Sequence, residues 1–225
     1  MSDRFYKSAD EWAIPFHDEI SKLTGAEDIA PTYLEVNFSN ACNMSCVYCG
    51  PEFSSKWVDK LNHNGPIKLL TDTPFEQWTH GWQDLDSLIY RQADENPYVE
   101  AFWEWFPQIY SGLSHYRITG GVPLMSKGTF TSIEWLLQNP NPDLDFSINS
   151  NLCVPDKLWD KFLKLITQLE NGVHVKKITI FTSVESSGEA AEYARQGLDY
   201  DLFTTRFEQL CKLGTIRCVV MAAFN

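Results

Sequence analysis

The sequence predicts an α/β protein built on a parallel sheet that is either open or curled into a partial (βα) barrel. From residue 32 onward, short runs with β-branched centres alternate with longer stretches of helical periodicity. Strands joined in this way form right-handed βαβ units and lie parallel to one another. Polar residues also alternate with apolar ones toward the strand ends, which is where parallel α/β proteins bind their ligands.

Each element has its own local signal. Residues 1–31 are predicted to be a helical segment, because apolar positions recur among charges there and Pro15 interrupts them. The predicted strands cover 32–38, 115–119, 144–149, 177–183 and 215–221. The predicted helices cover 53–61, 98–110, 127–137, 156–169 and 190–213, the last with a break near Gly197. Residues 64–98 carry several turn signals and are predicted to be an insertion of loops and short helices, in which Trp78 and Trp82 serve packing.

The bulk composition limits both the architecture and the partners. A chain of 225 residues with 44% hydrophobic content supports one sizeable core, so residues 32–225 are expected to form one domain. A net charge of −12 offers little basic surface for phosphates or anionic headgroups, which makes nucleic acid and membrane poor partners. We find no secretory signal and no apolar run of about 18 residues, and we therefore expect a cytoplasmic protein.

Three of the six cysteines are clustered directly after the first predicted strand. Cys42, Cys46 and Cys49 are spaced by four and then three residues, so one helix-like turn would bring their thiols to one point. An iron–sulfur cubane held by three cysteines keeps one iron open. One alternative is a zinc site completed by a distant histidine, His17 or His63, although the usual histidine spacing is missing. The other is unrelated core cysteines, the role expected for Cys153, Cys211 and Cys218.

Polar and apolar residues alternate along the predicted strands, so the strands have one polar face and one apolar face. A half-solvated sheet is the alternative explanation of this pattern, but a βαβ sheet is normally covered on both faces. We therefore expect a polar lumen for a cofactor or a substrate. The residues on the polar face are Glu35, Asn37, Arg117, Thr119, Ser147, Asn149, Asn151, Thr179, Ser183 and Glu185.

Several of these stretches resemble motifs of one family. The run Cys-Asn-Met-Ser-Cys-Val-Tyr-Cys at 42–49 resembles the cluster-binding loop of radical S-adenosylmethionine (SAM) enzymes. The run Arg-Ile-Thr-Gly-Gly-Val-Pro-Leu-Met at 117–125 resembles their second-strand motif, and residues 149–151 and 183–185 are similar to the polar ends of later strands. The resemblance covers residues 32–225 and looks closest to members with a twitch or SPASM-type extension.

The resemblance implies a partial barrel of radical SAM type and a set of cofactor contacts. Cys42, Cys46 and Cys49 would hold a [4Fe–4S] cluster whose open iron is chelated by SAM. Around SAM, glycines would admit the methionyl group, polar side chains would bond ribose or carboxylate oxygens, and an arginine would pair with the carboxylate. The glycines are Gly120 and Gly121, and the arginine is Arg195. The polar side chains are Asn149, Asn151 and Ser183.

The implied activity is reductive cleavage of SAM to a 5′-deoxyadenosyl radical, which takes a hydrogen atom from a substrate. A low-potential electron donor, flavodoxin or ferredoxin, would supply the electron. The substrate is a peptide, a nucleoside or a small molecule.

Two departures from the family pattern stand out. Val122 occupies the position of a glutamate that accepts from the SAM amino group, and five strands are predicted where the family core has six. We therefore expect a barrel truncated after the fifth strand, or a second chain that supplies the missing part. The alternative function is a cluster-binding but catalytically impaired homologue that acts as a scaffold or partner subunit.

Overall fold

The computed structural model describes residues 9–10, 13–65 and 96–223. The described strands are β1 (Tyr33–Asn37), β2 (Ser45–Cys46), β3 (His115–Thr119), β4 (Asn141–Asn149), β5 (Val175–Ser183), β6 (Arg195–Gln196) and β7 (Ile216–Met221). Five of them form a central sheet in the order β1-β3-β4-β5-β7, with every neighbouring pair parallel. A separate two-stranded antiparallel ribbon joins β2 to β6. The predicted α/β class with a parallel sheet is confirmed.

Several of the described helices begin at residues whose side chains cap them. Ser54 accepts from the amide of Trp57 at the start of the helix that begins at Ser55, and Asp199 accepts from the amide of Leu202 at the start of the helix that begins at Tyr200. The described helices are α1 (Ile14–Ile20), α2 (Ser55–Asn64), α3 (Pro97–Ile109), α4 (Lys127–Gln138), α5 (Asp156–Ile166), α6 (Gly188–Ala194) and α7 (Tyr200–Lys212). Short 3₁₀ turns lie at Tyr110–Gly112 and Pro123–Met125. In the parts of the chain that the structure describes, none of these helices has the length and apolar character needed to cross a bilayer.

The two faces of the sheet differ sharply. One face is apolar and packs on the helices: Tyr116 is fully buried, with its ring 4.9 Å from that of Phe106 and its hydroxyl 2.8 Å from Ser132 Oγ. Burial of this face supplies most of the core. The opposite face carries a polar row that runs across the strands in register: Glu35, Arg117, Ser147, Thr179 and Arg217. The predicted alternation of polar and apolar faces is thus present in the sheet.

The structure refines the predicted elements after β5. The predicted helix 190–213 is two helices, α6 and α7, and its break falls where Gly197 adopts a φ of +102°. Strands β2 and β6 were not predicted. Most of the predicted insertion at 64–98, including Trp78 and Trp82, lies outside the described residues, as does much of the segment 1–31 before and around α1.

Candidate functional site

The cysteine loop is fixed by the ribbon of β2 and β6. Cys46 pairs with Arg195 and Ser45 with Gln196, and the amide of Val47 donates to the carbonyl of Ala194 at 2.9 Å. The loop that follows β1 is therefore tied to a segment that comes after β5. This pairing sets the position of Cys46 at the carboxyl edge of the parallel sheet.

The three clustered cysteines line one cavity of about 190 Å³. Cys46 is buried, and Cys42 and Cys49 are half-buried. Burial raises the pKa of all three thiols, that of Cys49 to about 11, so near neutral pH the thiols carry their protons. A bound cation would reverse this preference, because metals bind the thiolate form.

A thiol-only donor set around a shared cavity fits an iron–sulfur cluster, whose irons are held by thiolates. Neither histidine of the zinc interpretation lines this cavity: His17 is an exposed residue of α1, and His63 lines a separate cavity of about 560 Å³ beside α2. Within the ranges 9–10, 13–65 and 96–223, no three or more His, Cys, Asp or Glu side chains are grouped to hold a single metal ion.

The predicted SAM-contact residues lie on the walls of the cysteine cavity. The structure brings together residues that come from the ends of three different strands and from the ribbon. These residues are Gly120, Gly121, Asn149, Asn151, Ser183 and Arg195.

The two glycines have a packing role that the sequence reasoning did not foresee. A Cβ atom on Gly120 would lie 2.2 Å from Asn37 Oδ1, and one on Gly121 would lie 2.5 Å from the carbonyl oxygen of Ala41. The amides of Gly121 and Val122 donate to the carbonyls of Ser39 and Ala41, at 3.1 and 2.7 Å. The close approach observed here is between the loop after β3 and the backbone that leads into the cysteines.

The asparagines differ in what they offer to a ligand. Asn151 donates from Nδ2 to Asn43 Oδ1 at 2.9 Å and accepts from the amide of Cys153 at 3.0 Å. Asn43 in turn donates to the carbonyl of Cys153 at 2.7 Å. Asn151 therefore ties the cysteine loop to the end of β4. Asn149, which also lines the cavity, instead accepts from Arg117 through Oδ1, and this leaves its amide nitrogen as the end available to a ligand.

Arg195 is held by an acidic partner. Its Nε and Nη2 donate to the two carboxylate oxygens of Glu185, each at 2.8 Å, and its Nη1 lies 3.9 Å from Cys46 Sγ. The hydroxyl of Tyr48 donates to the same carboxylate at 2.9 Å. The predicted partner of Arg195 was a ligand carboxylate, and in this structure Glu185 fills that position.

Arg206, which the sequence analysis did not single out, stabilises the turn that follows β4 at the edge of the site. It is 3% exposed and donates to the carbonyls of Leu152 and Val154, at 2.7 and 2.6 Å, and to Asp156. Leu152 has a φ of +61°, a conformation that costs energy for a branched side chain. No sequence motif indicates that an arginine in the middle of a helix bonds to the carbonyls of a distant turn. In contrast, the alternation of residues along β3 correctly places Arg117 on the polar face.

A cysteine loop after the first strand, with polar strand ends around it, defines a protein of the parallel α/β class with a ligand cavity at the carboxyl edge of its sheet. No family model matches the chain. Over 119 residues, or 53% of this chain and 27% of the relative, it is 26% identical to the GTP 3′,8-cyclase of Nautilia profundicola.

Two further relatives carry the same name. The GTP 3′,8-cyclase of a Sulfurovum species is 27% identical over 53% of this chain and 26% of its own length. That of Sulfurimonas denitrificans is 26% identical over 57% of this chain and 30% of its own. The chain thus matches less than a third of the length of these curated relatives. Their names support the radical SAM superfamily, in agreement with the cysteine motif.

Proposed function

We propose that this protein is a radical SAM enzyme of the partial-barrel type that holds a [4Fe–4S] cluster on Cys42, Cys46 and Cys49. The observation that carries the proposal is the shared cavity, which the three cysteines and the six predicted SAM-contact residues all line. The chemistry that a bound cluster and SAM supply is one-electron cleavage of the sulfonium bond, which provides a 5′-deoxyadenosyl radical for hydrogen abstraction.

The residues of the chain have defined tasks in this proposal. The three thiols lose their protons and bind iron, and the nearby Nη1 of Arg195 offers positive charge to the sulfur of Cys46. The ribbon of β2 and β6 keeps that sulfur in place. Asn149 and Ser183 offer hydrogen bonds to the oxygens of SAM from the ends of β4 and β5.

The electron donor and the substrate are part of the proposal. A low-potential donor such as flavodoxin or ferredoxin reduces the cluster. The substrate belongs to one of three classes: peptides, nucleosides or small molecules. GTP in the name of the relatives makes a purine nucleotide the first substrate to assay.

A second candidate is a cluster-binding homologue with impaired turnover. Val122, 2% exposed on the cavity wall, offers no acceptor for the SAM amino group, and Arg195 is already paired with Glu185. A charge-assisted hydrogen bond of the missing kind contributes about 1.5–3 kcal/mol, or roughly one to two decades in affinity. This loss weakens SAM binding without abolishing it.

Anaerobic reconstitution tests the proposal. We expect about four irons per chain, with 5′-deoxyadenosine released from SAM under dithionite. Serine at Cys42, Cys46 or Cys49 lowers the iron content. Serine at Cys211, which is exposed and not the core residue that the sequence predicts, leaves it unchanged. Iron without 5′-deoxyadenosine favours the impaired homologue, and a colourless, iron-free protein refutes both candidates.

A further inference from the structure

The side-chain amide of Asn149 has its orientation set by Arg117. The Nε and Nη2 atoms of Arg117 donate to Asn149 Oδ1 at 3.1 and 3.0 Å. Two donors on one carbonyl oxygen occupy both of its lone pairs. Among the described residues, no protein acceptor is bonded to the Nδ2 group of Asn149, which is therefore the end left for a ligand.

Arg117 is itself held on several sides. Its guanidinium lies 4.5 Å from the centre of the Phe181 ring, and its Nη1 is 4.0 Å from Glu35 Oε2. The carboxylate of Glu35 also accepts from the hydroxyls of Tyr33 and Thr119, at 2.8 and 3.1 Å. Because β1, β3, β4 and β5 are in register, Glu35 and Arg117 lie one row deeper in the sheet than Asn149, whose partner Phe181 also lines the cavity. An amide turned the other way would place Nδ2 against a cation and lose two hydrogen bonds.

We infer that Arg117 is a positioning residue that makes Asn149 a hydrogen-bond donor, and never an acceptor, toward the ligand of the cysteine cavity. The ligand atom that meets Asn149 must then be an acceptor, such as a carboxylate or hydroxyl oxygen. The inference rests on the proposed function: in SAM, the carboxylate and the ribose oxygens meet this requirement, and the protonated amino group does not.

Binding of S-adenosylhomocysteine, which keeps the ribose and the carboxylate but is not cleaved, tests the ligand half of the inference. Titration calorimetry would be done on cluster-loaded protein. Asn149→Asp keeps the acceptor for Arg117 but replaces the NH₂ donor with a carboxylate oxygen, and we expect binding about 10-fold weaker or worse. Asn149→Ala and Arg117→Met each weaken binding by about 3- to 10-fold.

The double variant is the sharper measurement. If Arg117 acts through Asn149, Arg117→Met adds nothing to the loss already caused by Asn149→Ala. Losses that simply add, or an Asn149→Asp variant that binds as tightly as the unmodified protein, overturn the inference. Iron content and thermal unfolding of each variant show that the loop and its cluster are intact.

A ligand-free measurement separates this inference from the proposed function. In metal-free protein labelled with ¹⁵N, the side-chain amide signal of Asn149 is identified by its loss in Asn149→Asp. Arg117→Met should shift or broaden that signal. Arg217→Met is the control and should leave it unchanged, because Arg217 stands in the same cross-sheet row but on β7, two strands away from Asn149. An unchanged signal in Arg117→Met overturns the positioning role. Failure of the unmodified, cluster-loaded protein to bind S-adenosylhomocysteine refutes the proposed function. It also refutes the part of the inference that concerns the ligand atom bound by Asn149.

Discussion

Arg195 forms a two-point ion pair with Glu185, Nε to Oε2 and Nη2 to Oε1, each at 2.8 Å. The two side chains are only 7% and 13% exposed, so the pair is shielded from water. The donors that an arginine would offer to a ligand carboxylate are therefore occupied within the protein. The remaining nitrogen, Nη1, faces Cys46, which makes the pair part of the support of the cysteine loop.

Glu185→Gln should lower the free energy of unfolding by about 3 kcal/mol at neutral pH, because it leaves a buried guanidinium without a counter-charge. Urea unfolding measures the loss. Glu134→Gln is the matched control, since Glu134 forms an exposed pair with Lys161 and should change stability by less than about 0.5 kcal/mol. Equal stability of Glu185→Gln and the unmodified protein at pH 7 contradicts the prediction.

The same variant should reveal a pH dependence. Burial raises the pKa of Glu185, but hydrogen bonds and charge from Arg195 outweigh it, and the net pKa lies below the usual range. A group with a lowered folded-state pKa contributes stability above its ordinary pKa of about 4.3, and this contribution is lost as pH falls through the folded value. The gap between the urea midpoints of the two proteins should therefore close as the solution is acidified from neutral pH. A gap of constant size from pH 7 to about pH 3 argues against the pairing.

Gly121→Ala should destabilise the protein by about 1–3 kcal/mol, since the added methyl would lie 2.5 Å from the carbonyl oxygen of Ala41. The effect is steric, because Gly121 does not have a positive φ. Gly112→Ala is the control: its methyl would meet Ala30 Cβ at 3.9 Å, an ordinary contact. Thermal unfolding distinguishes the two, and equal melting temperatures would show that the loops separate without cost.

Val122→Glu should raise the affinity for SAM by about 10-fold or more, because a carboxylate on the cavity wall accepts from the amino group. Val122→Gln, of similar size but neutral, should gain less. The Glu variant is expected to be less stable as well, since position 122 is 2% exposed. Calorimetry on cluster-loaded protein measures the affinity, and no gain in the Glu variant places the amino group elsewhere.

Arg206→Met should cost about 3 kcal/mol of stability, since it strips the hydrogen-bond partner from the buried carbonyls of Leu152 and Val154. Loosening this turn should also release Asn151 from the cysteine loop. Lys212→Met on the same helix is the control, because Lys212 is 78% exposed. Urea unfolding should separate the two variants, and a loss no larger than that of the control removes Arg206 from the support of the site.

The sheet could be predicted because its signals are local. Alternation along 115–119 reports which side chains face the core, and β3 occupies those residues. Caps are local too: Ser54 opens α2, and Gly197 ends the run of α6 and β6. The order of the five parallel strands agrees with the rule that parallel strands consecutive in the chain tend to lie next to each other.

The rest of the site depends on contacts that no local pattern records. The pairing of Cys46 with Arg195 involves strands of two residues each, too short to leave a periodic signal. The resemblance to radical SAM enzymes implies a ligand carboxylate as the partner of Arg195, and no local pattern indicates that Glu185, ten positions earlier, faces it instead. The same resemblance implies that Gly121 admits a ligand, whereas the backbone it meets in the structure belongs to a loop far away in sequence.

The ribbon also fixes when the cavity can come into existence. Ser45 and Gln196 are separated by 151 positions, and Asn43 and Cys153 by 110. During synthesis, the three cysteines therefore emerge from the ribosome long before β6, the strand that completes the ribbon next to them. Until residue 196 emerges, these thiols lack the enclosure that the ribbon provides and are more accessible to oxidants and to stray metal ions.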